Sequence, residues 1–265
     1  MKRVITTILS VMLIAATLFT FVGCDDVKDS EYIMDKGTLI VGVTDYEPLD
    51  YLENGEWTGF DAELARLVGE KLGLKVVFQE INWSMKETEL AGKTIDCIWN
   101  GLTWDKDRAQ NMSLSDYYMI NKQVLVVKSE NASKYNTVDS MKSASFAAEG
   151  GSAGETFIKE KFANSQFIDK EAQIDVLTEL LAGTVEIGVI DYVMANYLIN
   201  KPGSSFSGLT IVDGVIEAES EYYSIAFRNG SDMTAKVNEI VKGFREDGTI
   251  ETLAKKYGLT DAVIK

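Results

Sequence analysis

Arg108 closes the run Asn100-Gly101-Leu102-Thr103-Trp104-Asp105-Lys106-Asp107-Arg108, which follows the apolar segment Ile95–Trp99. Its guanidinium is a rigid fork that fits a carboxylate, and Thr103 adds a hydroxyl and a backbone N–H. Gly101 lets a ligand approach the backbone closely. A second anion-seeking element is Gly150-Gly151-Ser152-Ala153-Gly154, where Ser152 or Ala153 opens a helix whose backbone N–H groups attract negative charge. A phosphate loop does not fit there, because the Gly-Lys-Ser/Thr ending is missing and Glu155 repels phosphate. Asp191, at the end of Glu186–Ile190, offers the opposite chemistry, a carboxylate for a cation. Tyr46 and Trp83 can wall a pocket. Each residue also has a plainer reading: Arg108 as a solvated loop charge, the aromatics as core, Asp191 as a helix N-cap.

Composition removes whole classes of chemistry. The chain has no histidine and two cysteines, Cys24 and Cys97. Ser–His and Cys–His nucleophile pairs are excluded, and so are His-ligated zinc sites. No cofactor or metal is expected. Cys97 lies in an apolar run and reads as a buried, inert thiol. The net charge of −15 disfavours nucleic acid, whose recognition needs basic patches.

The first residues read as a targeting segment. Lys2 and Arg3 precede Val4–Val22, which carries nothing more polar than Ser and Thr. Phe21-Val22-Gly23-Cys24 resembles the bacterial lipobox, in which the cysteine is lipidated and becomes the mature N-terminus. Residues 1–23 are then a signal peptide and 24–37 a polar, lipidated tether. Loss of Lys2 and Arg3 moves the net charge from −15 to −17.

Positioning these groups requires strands that end near them. Strands are expected at Thr38–Val43, Lys75–Glu80, Thr94–Trp99, Gln123–Lys128, Ser145–Glu149, Glu186–Ile190, Leu209–Val212 and Tyr223–Arg228. Helices are expected at Ala62–Leu72 capped by Asp61, from Ser84 to Leu90, from Ser152 to about Phe162, at Ala172–Leu181 and from Asp191 to before Pro202. Met233–Glu246 and Ile250–Tyr257 close the chain. Strands alternating with helices imply an α/β fold of parallel sheets flanked by helices. The alternation resets around 129–144 and no Pro/Gly/Ser-rich linker occurs, which suits two lobes joined by paired strands. The expected division is 38–118 plus 223–265 for lobe 1 and 119–222 for lobe 2. Hinge segments fall at about 118–122 and 218–223.

Several short motifs occur in one order. Leu39-Ile40-Val41-Gly42-Val43 leads into Asp45-Tyr46-Glu47-Pro48-Leu49, and Gly55 to Gly59-Phe60-Asp61 follows. Then come Trp83, Glu89-Leu90, Gly92, Ile95-Asp96, Trp99-Asn100-Gly101 with Thr103 and Arg108, and Ser113 to Tyr118. Later pieces are Gly151-Ser152, Asp191, Ile225-Ala226-Phe227-Arg228 and Asp247-Gly248-Thr249 to Lys256-Tyr257-Gly258. Together these resemble the family 3 extracellular solute-binding proteins, which serve polar amino acid ABC importers, over about 38–258. The resemblance implies a two-lobed, type II periplasmic-binding-protein-like fold with mostly parallel sheets and two crossing strands. It implies a monomeric, extracytoplasmic binding protein and no enzyme. Its partners would be a free amino acid, the importer's permease subunits and the membrane, reached through lipid on Cys24.

By the same resemblance, Arg108, Gly101 and Thr103 bind the ligand carboxylate and ammonium. Tyr46 and Trp83 enclose its side chain, Ser152 and Ala153 meet the carboxylate from the opposite lobe, and Asp191 pairs with the ammonium. Asp45 and Glu149 stand at positions that tend to face the ligand side chain, and both being acidic favours a cationic amino acid. Two alternatives remain open: a dehydratase of small cyclic acids on the same scaffold, with Glu149 as acid/base group, or a ligand-sensing domain for a separate receptor.

Overall fold

A computed structural model describes residues 28–264 apart from 213, 217 and 218. Cys24 and the apolar N-terminal segment lie outside the described residues. Along the chain, helix α1 (Asp29–Lys36) precedes β1 (Thr38–Val43), the hairpin β2 (Tyr51–Glu53) and β3 (Glu56–Thr58), α2 (Phe60–Leu72) and β4 (Lys75–Glu80). A 3-10 turn, Trp83–Met85, runs into α3 (Lys86–Ala91), followed by β5 (Cys97–Thr103), α4 (Arg108–Asn111), β6 (Met112–Leu114) and β7 (Met119–Asn121). Next come β8 (Gln123–Lys128), α5 (Val138–Met141), β9 (Ser145–Glu149), α6 (Ala153–Lys161), β10 (Gln166–Lys170), α7 (Gln173–Ala182), β11 (Ile187–Asp191), α8 (Tyr192–Asn200) and β12 (Leu209–Val212). The chain returns through β13 (Glu221–Arg228), α9 (Met233–Glu246) and α10 (Thr249–Tyr257).

Two sheets result. The first has the order β4-β1-β5-β13-β6, with β7 also on β13, and the second β10-β9-β11-β8-β12. Each keeps a parallel core of three strands, β4-β1-β5 and β10-β9-β11. The strands that carry the chain between sheets, together with their neighbours, pair antiparallel. The sheets are therefore mixed rather than mostly parallel. A strand arriving from the other lobe needs no helical crossover, so nothing forces it parallel. Lys122 separates β7 from β8, and the chain comes back between Val212 and Glu221.

Three local boundaries depart from expectation, each for a physical reason. Strand β5 continues through Thr103 and is buried along its whole length, so the Gly101–Thr103 segment is sheet and not loop. Helix α2 starts at Phe60 with Gly59 at its N-cap; Asp61 lies inside its first turn, fully buried. Within the expected tether of 24–37, Asp29–Lys36 is a docked helix. Ile33 is wholly buried, Asp29 pairs with Arg228 at 2.6 Å and Lys36 with Asp96 at 2.5 Å. One apolar anchor between charged residues gives too weak a periodic signal to read in advance.

Candidate functional site

The C-terminal edges of the parallel strands of both lobes meet at one seam, the position where open α/β sheets hold ligands. Lobe 1 contributes Thr44–Tyr46 after β1, Ile81–Trp83 after β4 and Thr103 at the end of β5; lobe 2 contributes Glu149–Ser152 after β9, Glu171 after β10 and Asp191 at the end of β11. Buried polar pairs hold these loops. Asn100 Oδ1 accepts from Thr44 N (3.2 Å) and Thr44 Oγ1 (2.7 Å), while Asn100 Nδ2 donates to Thr44 O (3.1 Å) and Asp50 Oδ2 (2.8 Å). The loop carrying Asp45 and Tyr46 is thereby tied to β5. Asp61 Oδ2 accepts from Gly101 N at 2.9 Å and from the Tyr118 hydroxyl at 2.6 Å. Burial pushes the Asp61 carboxyl up to about 7.

Gly101 also has a packing role. Its φ is +60°, and a Cβ there would stand 2.8 Å from the Tyr46 ring, 3.0 Å from Leu49 Cδ1 and 3.2 Å from the Tyr223 ring. The close approach is made by protein aromatics. Tyr46 is buried, and its hydroxyl lies 2.7 Å from that of Tyr223. Trp83 packs in one cluster with Ile81, Leu90, Ile95, Ile98 and Leu102, and the Lys86 ammonium sits 4.9 Å from its ring centre.

Arg108 reaches both lobes. Nη1 donates to Thr103 O at 2.6 Å, Nη2 to Gly151 O at 3.2 Å, and Nε lies 3.1 Å from Asp105 Oδ2. Lys86 meets it there. Only 4% exposed, Lys86 donates from Nζ to the same Gly151 carbonyl at 2.9 Å and to Trp83 O at 3.2 Å. Burial, then the Arg108 charge, lowers the Lys86 ammonium to about 8. Gly151 has φ +72°, and its Cβ position lies 3.2 Å from both Lys86 Nζ and Ser84 Cα. Ser152 caps α6 by accepting from Glu155 N at 3.1 Å, and Ala153 begins that helix.

At the other end of the seam, Asp191 is 4% exposed. Its Oδ1 accepts from Asn121 Nδ2 (2.7 Å) and Gln123 Nε2 (2.5 Å), and its Oδ2 from Gln173 Nε2 (2.6 Å). Glu149 is 2% exposed, and its Oε1 has no hydrogen-bond partner among the described residues. Burial and the nearby Asp191 push its carboxyl well up, against the opposing charges of Lys86 and Arg108. Asp45 borders a crevice of about 470 Å³ with Glu80 on its own lobe and Glu171 and Asp175 on the other. Burial, Glu47, Glu80 and Asp175 all raise it. A long side chain entering that crevice would find four carboxylates.

The structure thus gathers Arg108, Thr103, Asp191, Glu149, Ser152 and Ala153 along one seam, with Asp45 at its acidic mouth. Lys86, Gln123, Gln173 and Glu221 were not among the expected site residues. Asn121 and Gln123 did carry a signal, two amides spaced to share one face of an extended segment. For Lys86 the signal was its place one helical turn after Trp83.

Residues 39–260 match the profile of the bacterial extracellular solute-binding proteins, family 3. The chain belongs to this family. Among its relatives is the arginine-binding extracellular protein ArtP of Bacillus subtilis, 28% identical over 93% of this chain and 96% of that one. An ABC uptake transporter substrate-binding protein from Streptococcus pneumoniae, solved with bound histidine, superposes with a TM-score of 0.81. It is 26% identical over 90% of this chain and 99% of that one. The ancestral amino acid-binding protein AncCDT-1, a precursor of cyclohexadienyl dehydratase, superposes with a TM-score of 0.78 at 27% identity, covering 86% and 98%. The relatives of this solute-binding family are amino-acid-binding proteins of ABC transporters rather than enzymes. No helix among the described residues is long and apolar enough to cross a membrane.

Proposed function

We propose that this chain is the lipid-anchored capture component of an amino acid importer, holding its ligand between the lobes and preferring a cationic side chain. The observation that carries this is the polarity of the seam. Arg108 and Lys86 converge on one carbonyl at one end, and the buried carboxylate of Asp191 stands at the other. A zwitterion fits such a gradient in one orientation only. Arg108, Thr103 and the α6 start at Ser152 and Ala153 take the α-carboxylate, which competes with the Gly151 carbonyl for the guanidinium. Asp191 and the Gly101 carbonyl take the α-ammonium. Tyr46 and Trp83 stiffen the walls, and Asp45 and Glu149 favour a cationic side chain. Since Arg108 and Asp191 sit on different lobes, the full set of contacts forms only when the lobes meet, and ligand shifts the population toward that form. Permease subunits then read the closed form. Lipidation of Cys24 would hold the protein at the outer face of the membrane, with residues 29–36 packed against lobe 1.

Isothermal titration against the free amino acids tests this. Binding is expected for lysine, arginine or ornithine ahead of neutral residues, and Arg108→Ala should weaken it by roughly 100-fold or more, because a desolvated carboxylate is left unpaired at a cost of about 3–5 kcal/mol. Equal affinity for neutral and cationic ligands would remove the side-chain preference, and no binding at all would reject capture. A dehydratase draws support from one feature, the raised carboxyl of Glu149, whose Oε1 has no hydrogen-bond partner among the described residues. Turnover of a small cyclic acid, lost in Glu149→Gln, would establish it.

A further inference from the structure

Glu221 is the first residue of β13, where the chain re-enters lobe 1, and it pairs in register with Asn121 of β7. Its Oε2 accepts from Thr103 Oγ1 at 3.1 Å, from Gln123 Nε2 at 2.9 Å and from Asn121 Nδ2 at 3.3 Å. The last two nitrogens are the same ones that donate to Asp191 Oδ1. Two carboxylates, one at the end of a lobe 2 strand and one on a crossing strand, therefore share two neutral amides. The remaining groups around them are neutral as well: Gln173, Thr103 and the hydroxyls of Tyr46 and Tyr223. Among the described residues no lysine or arginine forms an ion pair with either carboxylate.

An arrangement of two nearby anions and only neutral donors lacks a cation, and its shape says which kind. An ammonium has three N–H donors at tetrahedral angles. Asp191 and Glu221 offer two acceptors. Thr103 offers a third, because its hydroxyl hydrogen is directed to Glu221 and its lone pairs remain free. We propose that Glu221 is a ligand-contacting residue that forms, with Asp191 and the Thr103 hydroxyl, a two-carboxylate subsite for the ligand's α-ammonium. This rests on the amino-acid-capture reading above and adds to it a group from the hinge strand. Coupling follows from the placement: an ammonium held by Glu221 and Asp191 ties the crossing strand to the end of β11.

Protonation offers a readout that a purely structural role would not move. Burial and Asp191, against the hydrogen bonds from Gln123, Thr103 and Asn121, raise the Glu221 carboxyl to about 7. Binding a cation must draw this group to its charged form, so affinity should rise with pH through about 7 and level off above it. The experiment is isothermal titration of wild type, Glu221→Gln and Glu221→Asp with the standard amino acids and ornithine at pH 6, 7 and 8, comparing ligands that do not themselves titrate in that range. Glu221→Gln keeps an acceptor for Thr103 and should fold with unchanged or raised Tm. It should lose affinity by about 10- to 100-fold, the worth of one charged hydrogen-bond partner, and its affinity should rise less steeply than wild type between pH 6 and 7, with Lys86 and Glu149 left as the other titrating groups along the seam. Glu221→Asp should restore the pH dependence. Wild-type affinity retained in Glu221→Gln, or an unaltered pH profile, overturns the subsite. No binding of any amino acid by wild type overturns the capture reading and, with it, the subsite.

Discussion

Replacing Gly101 by alanine tests whether the aromatic lid over β5 is as tight as the geometry makes it. Two costs add. At φ +60° an L-residue is in the left-handed region, worth about 1–2 kcal/mol against glycine. The new Cβ also lands 2.8 Å from the Tyr46 ring, 3.0 Å from Leu49 and 3.2 Å from the Tyr223 ring. Overpacking of a filled core costs about 1–3 kcal/mol, and Tyr46 cannot swing aside freely because its hydroxyl is held by Tyr223. Loss of about 2–5 kcal/mol is expected, which at roughly 2–4 °C per kcal/mol lowers Tm by about 4–20 °C. Differential scanning calorimetry of the ligand-free protein reads this directly. Ligand affinity should fall too, since any shift of Tyr46 disturbs the hydroxyl that faces Asp191. A Tm within about 2 °C of wild type would refute the reasoning, because neither the strain nor the contact would then be real.

Two further outcomes follow from the site's surroundings. Asp61 is raised to about 7 by burial, and burial raises Asp50 and Glu149 as well. A carboxyl whose folded value lies above its unfolded value adds stability that is full below the unfolded value and is lost as pH climbs through the folded one. The ligand-free protein should therefore melt higher at pH 5.5 than at pH 8, with Asp61 alone giving on the order of 2 kcal/mol. Asp61→Asn should reduce the slope by its own share, and a Tm that rises with pH across this window would contradict the assignment. Gly151→Ala should weaken ligand binding by about tenfold, since its φ is +72° and its Cβ would press on Ser84 and Lys86 of the opposite lobe. Unchanged affinity would mean that Gly151 does not meet lobe 1 in the bound form.

How far the fold could be read beforehand tracks how local each signal is. Strands β1, β4, β8, β9 and β12 and helix α9 fall where β-branched runs and helical periodicity put them. The strand β10, Gln166–Lys170, escaped because its polar residues leave only partial burial to alternate. Strand β5 was cut short for the opposite reason. Asn100 and Thr103 look like loop residues, yet they are buried because Thr44, Asp50 and Glu221, distant in sequence, satisfy them. Site residues divide the same way. Arg108, Thr103 and Asp191 stood out by type and position. Lys86 and Glu221 did not, since a lone charge on a helix or strand reads as solvated, and only the other lobe or the crossing strand buries it.

Charge balance along the seam is the physical argument for the proposed preference for a cationic ligand. Lys86 and Arg108 are the cations within it; Glu149, Asp191 and Glu221 are the carboxyl groups. Opposing influences act on Glu149: burial and Asp191 raise its carboxyl, while Lys86 and Arg108 pull it down. Carboxyl groups thus outnumber cations along the seam, and burial favours their protonated forms. A neutral amino acid adds one charge of each sign and leaves the surplus where it was. A ligand with a second positive charge removes it and lets a carboxyl ionise, and the acidic crevice at Asp45, Glu80, Glu171 and Asp175 gives that second charge a place to sit. The proposed selectivity needs no contact finer than the count of charges, because in a buried seam an unmatched charge costs more than an imperfect fit of the side chain.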